Sequence, residues 1–174
     1  MRIIAGRFKG RRLVAPDGSA VRPTSDSLRE TLFNVLGQSA DGWRVLDGFA
    51  GTGALGLEAL SRGASHVTFV ERDRRALDAL MKNVRACGAE DACAIIRDDF
   101  ERWRADERFD LVLLDPPYEL TDLERTVVTG AALVAAGGRL VLEHSRRRAS
   151  PEAAGPLRRT RVLTAGDSAL SFYT

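Results

Sequence analysis

Cysteine and histidine are scarce in this chain of 174 residues: Cys87, Cys93, His66 and His144 are all there is of either. Four such residues at these spacings make no recognisable zinc set and no disulfide framework, so no metal is expected. The two cysteines read as small, semi-buried apolar side chains of a reducing compartment. No apolar run approaches the roughly 18 residues needed to cross a bilayer, so no membrane association is expected. Met1-Arg2-Ile3-Ile4-Ala5-Gly6-Arg7 has charge but lacks the apolar stretch of a secretory signal, and the expected location is cytoplasmic. Repeats, low-complexity stretches and linkers are also missing. The length suits one domain over 1–174, and nothing suggests an obligate dimer, so a monomer is expected.

Net charge is small as well, at +2, but it is unevenly spread. Residues 1–22 carry Arg2, Arg7, Lys9, Arg11, Arg12 and Arg22 against Asp17 alone. Residues 144–161 carry Arg146, Arg147, Arg148, Arg158, Arg159 and Arg161 against Glu152. The stretch between them is acidic. Two basic ends around an acidic centre suggest a polyanion held by the flanks of a domain whose middle does something else.

What the chain does have is a glycine turn between a strand and a helix. Arg44-Val45-Leu46 leads into Asp47-Gly48-Phe49-Ala50-Gly51-Thr52-Gly53-Ala54-Leu55-Gly56, and a helical pattern follows. In that arrangement backbone can approach a nucleotide-like ligand closely, and side chains at Gly51 and Gly53 would obstruct it. The helix start offers free N–H groups to a carboxylate or phosphate. Gly51-x-Gly53-x-x-Gly56 with Glu71 at the end of the next strand also satisfies a dinucleotide fingerprint. Two features oppose a nicotinamide enzyme. Asp47 stands where a carboxylate could meet a cationic ligand group, and Asp115-Pro116-Pro117-Tyr118 has no part in dinucleotide binding. Together they point to S-adenosylmethionine (SAM) and methyl transfer.

The rest of the pattern is α/β. Residues 2–8 and 11–15 read as a small basic hairpin or arm, within an N-terminal segment 1–21 that precedes a core over 22–174. Ser27 and Glu30 are spaced as a capping box for a helix with Leu28, Leu32, Val35 and Leu36 on one face; Arg29 and Glu30 lie off it. Strands are expected at Val45–Phe49, His66–Glu71, Ala92–Arg97, Phe109–Leu114 and Arg139–Glu143. Helices are expected at Ala54–Arg62, after Asp73, and at Leu120–Ala135 up to Gly137-Gly138. Thr160–Thr164 and Ala169–Tyr173 are joined too tightly for a crossover, so they pair antiparallel and close an otherwise parallel sheet.

Ligands sit over the carboxyl ends of such strands, where Asp47, Glu71, Asp98, Asp115 and Glu143 collect. Phe49, Ala50, Gly51 and Gly53 would pass under the amino-acid part of SAM. Glu71 would accept from two ribose hydroxyls, and Asp98 or Asp99 from the adenine amine, with Phe100 as a packing partner. Asp115 and the Pro116 carbonyl can accept the two N–H bonds of an exocyclic amine and turn its lone pair toward the methyl group. Pro117 stiffens the turn, and Tyr118 can stack on the base.

Arg2-Ile3-Ile4-Ala5-Gly6 with Lys9-Gly10, Arg22-Pro23-Thr24, Arg29-Glu30-Thr31-Leu32-Phe33-Asn34, the glycine loop and Asp115-Pro116-Pro117-Tyr118 together resemble the bacterial family that methylates guanine N2 in 16S ribosomal RNA. The resemblance runs from Arg2 to Leu170-Ser171-Phe172-Tyr173. It implies a class I, Rossmann-like methyltransferase fold with a seven-stranded, mostly parallel sheet whose last strand is antiparallel. It further implies SAM as donor and one guanine of 16S rRNA as acceptor, presented by the small subunit or an assembly intermediate. Arg7, Lys9, Arg11 and Arg12 would grip RNA, and Arg22, Pro23 and Thr24 would border the pocket. The alternatives are amino-methylation of DNA adenine N6 or of a protein glutamine, and an RNA-binding module without chemistry.

Overall fold

The computed structural model describes residues 1–16 and 26–174. Its elements are α1 (Asp26–Leu36), β1 (Arg44–Asp47), α2 (Ala54–Ser61), β2 (His66–Glu71), α3 (Arg74–Cys87) and β3 (Cys93–Arg97). They continue with β4 (Phe109–Leu114), α4 (Leu123–Ala131), β5 (Val134–Ser145), β6 (Ala153–Ala154), β7 (Leu157–Ala165) and β8 (Ser168–Tyr173). They build one sheet of eight strands in the order β3-β2-β1-β4-β5-β8-β7-β6. The first five are parallel, and β8 inserts antiparallel between β5 and β7. The strand beyond the expected seven is the two-residue β6 at the edge.

Both faces of the sheet are covered, so its central strands are nearly continuous apolar runs, as in Phe109–Leu114, where Asp110 is the one polar residue. In β4, Leu111 and Leu113 join the layer under α1, α2 and α3, with Phe33, Leu57, Phe69 and Leu80. Val112 and Leu114 face the opposite layer with Phe100, Leu123, Val127 and Tyr173. Helix α3 is capped by Asp73, whose side chain accepts from Ala76 N at 2.9 Å. Met81, next to buried Leu80 on the same helix, is exposed.

Three boundaries differ from the sequence pattern. Helix α1 begins at Asp26, so Ser27 lies inside the helix rather than capping it. Helix α4 ends at Ala131, and β5 starts three residues later at Val134. Gly137-Gly138 therefore shapes a bulge within β5, between the pairs Phe109–Val134 and Leu111–Arg139, instead of stopping a helix. Gly137 sits at φ 75°, and a Cβ on Gly138 would come within 3.0 Å of the Asp110 carbonyl. Arg29, off the apolar stripe and expected in solvent or the cleft, is fully buried. It donates to the Arg2 carbonyl at 2.6 Å and to Asp26 at 2.8 Å, so it ties the arm to α1.

The arm is a hairpin only at its base, where Arg2 bridges Arg12 and Ile3 N donates to the Arg11 carbonyl at 3.0 Å. Ile3 and Leu13 are buried against the core, while residues 4–8 wrap onto α2. The Glu58 carboxylate, with no solvent exposure, accepts from Ile4 N at 2.8 Å, Ala5 N at 3.1 Å and Arg62 Nε at 2.8 Å. Ser61 accepts from Arg7 N at its carbonyl and from Phe8 N at its hydroxyl. Breaking a buried ion pair by removing one partner costs more than the pair contributes, because the other charge stays buried. Glu58→Gln should therefore lower unfolding free energy by about 3 kcal/mol in denaturant titration. A loss below about 1 kcal/mol, the level of an exposed pair, would contradict this account of the arm.

Candidate functional site

Four adjacent parallel strands deliver acids to one edge. Asp47 ends β1, Glu71 ends β2, Asp98 follows β3 and Asp115 follows β4. Because β3, β2, β1 and β4 are consecutive neighbours, these four positions share the carboxyl edge of the sheet. Glu143 lies two residues inside the end of β5 and is buried.

The loop between β1 and α2 is held at nearly every residue. Gly48 N donates to the Leu113 carbonyl at 2.9 Å, Ala50 N to Val70 at 3.1 Å, and Gly53 N to Ala50 at 2.7 Å. Gly51 N donates to Glu71 Oε2 at 2.8 Å, and Glu71 Oε1 accepts from Asp73 N at 2.7 Å. Each carboxylate oxygen has a second lone pair, so Glu71 keeps capacity for two hydroxyl donors. Thr52 is fixed from behind by Asn83, whose amide donates to its carbonyl at 2.9 Å.

The glycines have different roles. A Cβ at Gly53 would lie 2.3 Å from Leu80 Cδ1, and one at Gly56 would lie 2.3 Å from Phe69 Cε1. These two let α2 pack on its neighbours; protein, not ligand, occupies the space. At Gly51 the nearest atom to a Cβ is the Phe49 carbonyl at 4.0 Å, with open space beyond. Of the two glycines expected beside a ligand, Gly51 has open space where a side chain would stand, while the Gly53 position is filled by Leu80.

Asp47 is the most perturbed group of the edge. It is 1 % exposed, its Oδ2 accepts from Gly56 N at 2.9 Å, and its Oδ1 is buried with no partner among the described residues. Burial pushes its carboxyl up to about 7, helped by the nearby Asp115 and Glu71 charges and opposed by the Gly56 N–H. A half-satisfied buried carboxylate is an acceptor for a cation brought to it.

Asp98 is exposed and its Oδ1 accepts from Asp99 N at 2.7 Å. Asp99 is occupied: Oδ2 pairs with Arg72 at 2.9 Å and Oδ1 accepts from Glu101 N at 3.1 Å. Phe100 is 2 % exposed, tilted against Phe49 at 5.1 Å between centroids, and packed where a Gly48 side chain would sit. Its ring is part of the core beneath the glycine loop. Half-buried Phe49 and buried Ala50 lie in the pinned loop.

Past β4, Pro116 is buried while Pro117 and Tyr118 are exposed. The Pro117 carbonyl accepts from Leu120 N at 2.9 Å, which closes a turn; no described residue is recorded donating to the Pro116 carbonyl. The Tyr118 hydroxyl bonds Ser168 Oγ at 2.7 Å, at the start of β8. The Arg148 guanidinium donates to the carbonyls of Leu120 and Thr121. The loop carrying Asp115 is thus braced on two sides.

The basic arm sits lower on the molecule. Arg7, Lys9, Arg11 and Arg12 are all exposed, but Arg7 lies against the last turn of α2, stacked on Phe8 at 4.6 Å. An eight-residue helix rises about 12 Å, so Arg7 is about that far below the glycine loop along α2. Arg11 donates to the Ala86 carbonyl at the end of α3. Arg22, Pro23 and Thr24 lie outside the described residues.

Sequence reasoning missed Asn83, Ser168 and Arg148. Asn83, fully buried on α3, also bonds Val14 through both N–H (2.8 Å) and C=O (3.0 Å), so one side chain joins arm and glycine loop. Its signal was available, since an amide three residues after Leu80 and one before Val84 falls on an apolar face. Ser168 and Arg148 gave none, because their partners lie far off in sequence.

The family model described as "Conserved hypothetical protein 95" matches residues 1–174. YlbH of Bacillus subtilis, provisionally named an rRNA methyltransferase, is 38% identical over 99% of this chain and 98% of its own. Ribosomal RNA small subunit methyltransferase D of Escherichia coli K12 is 41% identical over 129 residues, and the matched part is 65% of its length. Among solved structures, the E. coli protein yhhF, provisionally described as a methyltransferase, superposes with a TM-score of 0.87 at 34% identity, over 99% of this chain and 96% of that one. The sheet, with its parallel core and inserted antiparallel strand, is that of class I methyltransferases. Matched along its whole length, the chain belongs to the conserved hypothetical protein 95 family.

Proposed function

We propose that this chain transfers a methyl group from SAM to small-subunit ribosomal RNA, and that the acceptor is the exocyclic N2 amine of one guanine. The observation that carries the reading is the pairing of two unfilled acceptors on one sheet edge. Among the described residues, neither the buried Asp47 Oδ1 nor the carbonyl of Pro116 has a donor. The names of the relatives support the small subunit as the substrate.

The residues fit SAM. The open Asp47 oxygen suits an ammonium group, Gly51 leaves backbone bare beside it, and Glu71 keeps lone pairs for ribose hydroxyls. Asp98 is the acceptor placed for the adenine amine, since Asp99 is engaged by Arg72. When bound, SAM supplies an electrophilic methyl on a good leaving group, so positioning matters more than a strong base.

The chain's own residues then orient the nucleophile. A guanine N2 lone pair is delocalised into the ring. Asp115 and the Pro116 carbonyl accept its two N–H bonds and aim the lone pair across the edge, toward the Gly51 side. Pro116 and Pro117 fix that carbonyl through their locked φ angles. Tyr118, 40 % exposed and tethered by Ser168, presents a ring face to the base. After transfer the amine carries an extra proton, and Asp115 is the acceptor within reach. The basic arm contributes phosphate contacts at a distance from the target.

The test uses methyl-labelled SAM and small subunits from cells lacking the corresponding methyltransferase, with nucleoside analysis of the RNA. Label should appear as N2-methylguanosine in 16S RNA. Label on another nucleoside, or on DNA or protein only, would overturn the assignment. Asp115→Ala should lower the transfer rate at least a hundredfold while SAM affinity, read by calorimetry, stays within about threefold of wild type. Loss of SAM binding in that variant would contradict its assigned role.

A further inference from the structure

The C-terminal arginines divide into two kinds. Arg148 is spent on the Leu120 and Thr121 carbonyls, and Arg159 on the Ser150 carbonyl and hydroxyl. Arg146, Arg147, Arg158 and Arg161 are exposed, and no acceptor for their guanidinium groups is recorded among the described residues. The sheet then separates these four by position.

Arg146 and Arg147 directly follow Ser145, the last residue of β5, which pairs in register with Ser168. Ser168 is the residue that bonds the Tyr118 hydroxyl. Arg146 N also donates to the Asp167 carbonyl at 2.8 Å, so the turn carrying these arginines is fixed against the β7–β8 turn. On its other side, Arg148 grips the backbone just after Tyr118. Two free guanidinium groups are thereby held on the rim of the loop that presents Asp115 and Tyr118. Arg158 and Arg161 flank the Tyr173–Phe172 end of β8, which pairs with Leu140 and Val141. Val141 and Leu140 lie four and five residues before Ser145, roughly 13 and 16 Å along the strand, so Arg158 and Arg161 stand well back from the catalytic edge.

Resting on the reading of this chain as an RNA methyltransferase, the geometry points to Arg146 and Arg147 as phosphate contacts for the nucleotides beside the target guanine, with Arg158 and Arg161 as bystanders. Arginine suits the task, since its planar fork meets phosphate oxygens bidentately and stays charged at any working pH. A base splayed onto Tyr118 must have its flanking phosphates near this rim, because consecutive phosphates in a single strand are only a few ångströms apart. The arm, lower on α2 and α3, holds more distant RNA. Overall charge alone would not separate the two arginine pairs.

The experiment compares full-length wild type, R146Q/R147Q and R158Q/R161Q on undermethylated small subunits. It measures methyl transfer and, separately, subunit binding across a salt series. R146Q/R147Q should raise KM for subunits about tenfold and lower the slope of log affinity against log salt by about 1.4 to 1.8. Its SAM affinity and its rate at saturating subunits should stay within twofold of wild type. R158Q/R161Q should match wild type in KM and slope. Equal losses in both pairs, or no loss in R146Q/R147Q, would overturn the inference while leaving the methyltransferase reading intact. A wild type that labels no small-subunit RNA would overturn both.

Discussion

The buried carboxylate of Asp47 governs the arrangement of the rest of the site. One of its oxygens is satisfied by Gly56 N at 2.9 Å, and the other has no donor among the described residues. An acid in that position is costly in the charged form, and it persists at the end of β1 because the fold holds it there. Val45 and Leu46 are fully buried on opposite faces of the sheet, so the strand cannot turn its last residue out to water. Gly56 can donate only because α2 comes down directly on β1 and β2. That approach depends in turn on the missing side chains of Gly53 and Gly56 opposite Leu80 and Phe69. Packing of the helix and poise of the acid are therefore one constraint.

The arm extends that constraint outward. Glu58 and Ser61 on α2 hold residues 4–8, Arg29 on α1 holds Arg2, and Asn83 on α3 holds both Val14 and Thr52. Three helices thus bind the N-terminal segment through buried polar groups rather than through a sheet of its own. Such groups fix position sharply because leaving any of them unmatched is expensive. The opposite flank is built likewise, with Ser168 and Arg148 fixing the loop after β4 and a His144–Ser171–Ser150 chain behind them (2.9 and 2.7 Å). The proposed methyl acceptor would be presented between two stiff flanks.

Much of this was legible in the amino-acid order. Nearly continuous apolar strands such as Phe109–Leu114 signal a sheet covered on both sides, and the short Gly166-Asp167 turn forces the antiparallel close. Acids at strand ends were visible because the strands themselves were. The spacing of the glycines was visible too, but not their use, since a pattern says nothing about what stands opposite each absent side chain. Arg29 looked free for solvent or the cleft because its acceptor, the Arg2 carbonyl, comes from a segment whose path the helix periodicity does not encode. Gly137-Gly138 looked like a helix stop, since a bulge and a terminus use the same residue.

The most direct test of the account is SAM affinity by calorimetry as a function of pH, in wild type and in Asp47→Asn. With its carboxyl raised to about 7, Asp47 is mostly protonated below that pH and must release a proton to receive an ammonium group. Wild-type affinity should rise by nearly tenfold per unit from about pH 5.5 toward about 7 and then level off, with proton release on binding. Asp47→Asn should bind more weakly and lose that dependence. A flat wild-type profile, or an Asn variant with undiminished affinity, would mean that the open oxygen of Asp47 is not the cation's partner, and the site would have to be rebuilt around another group.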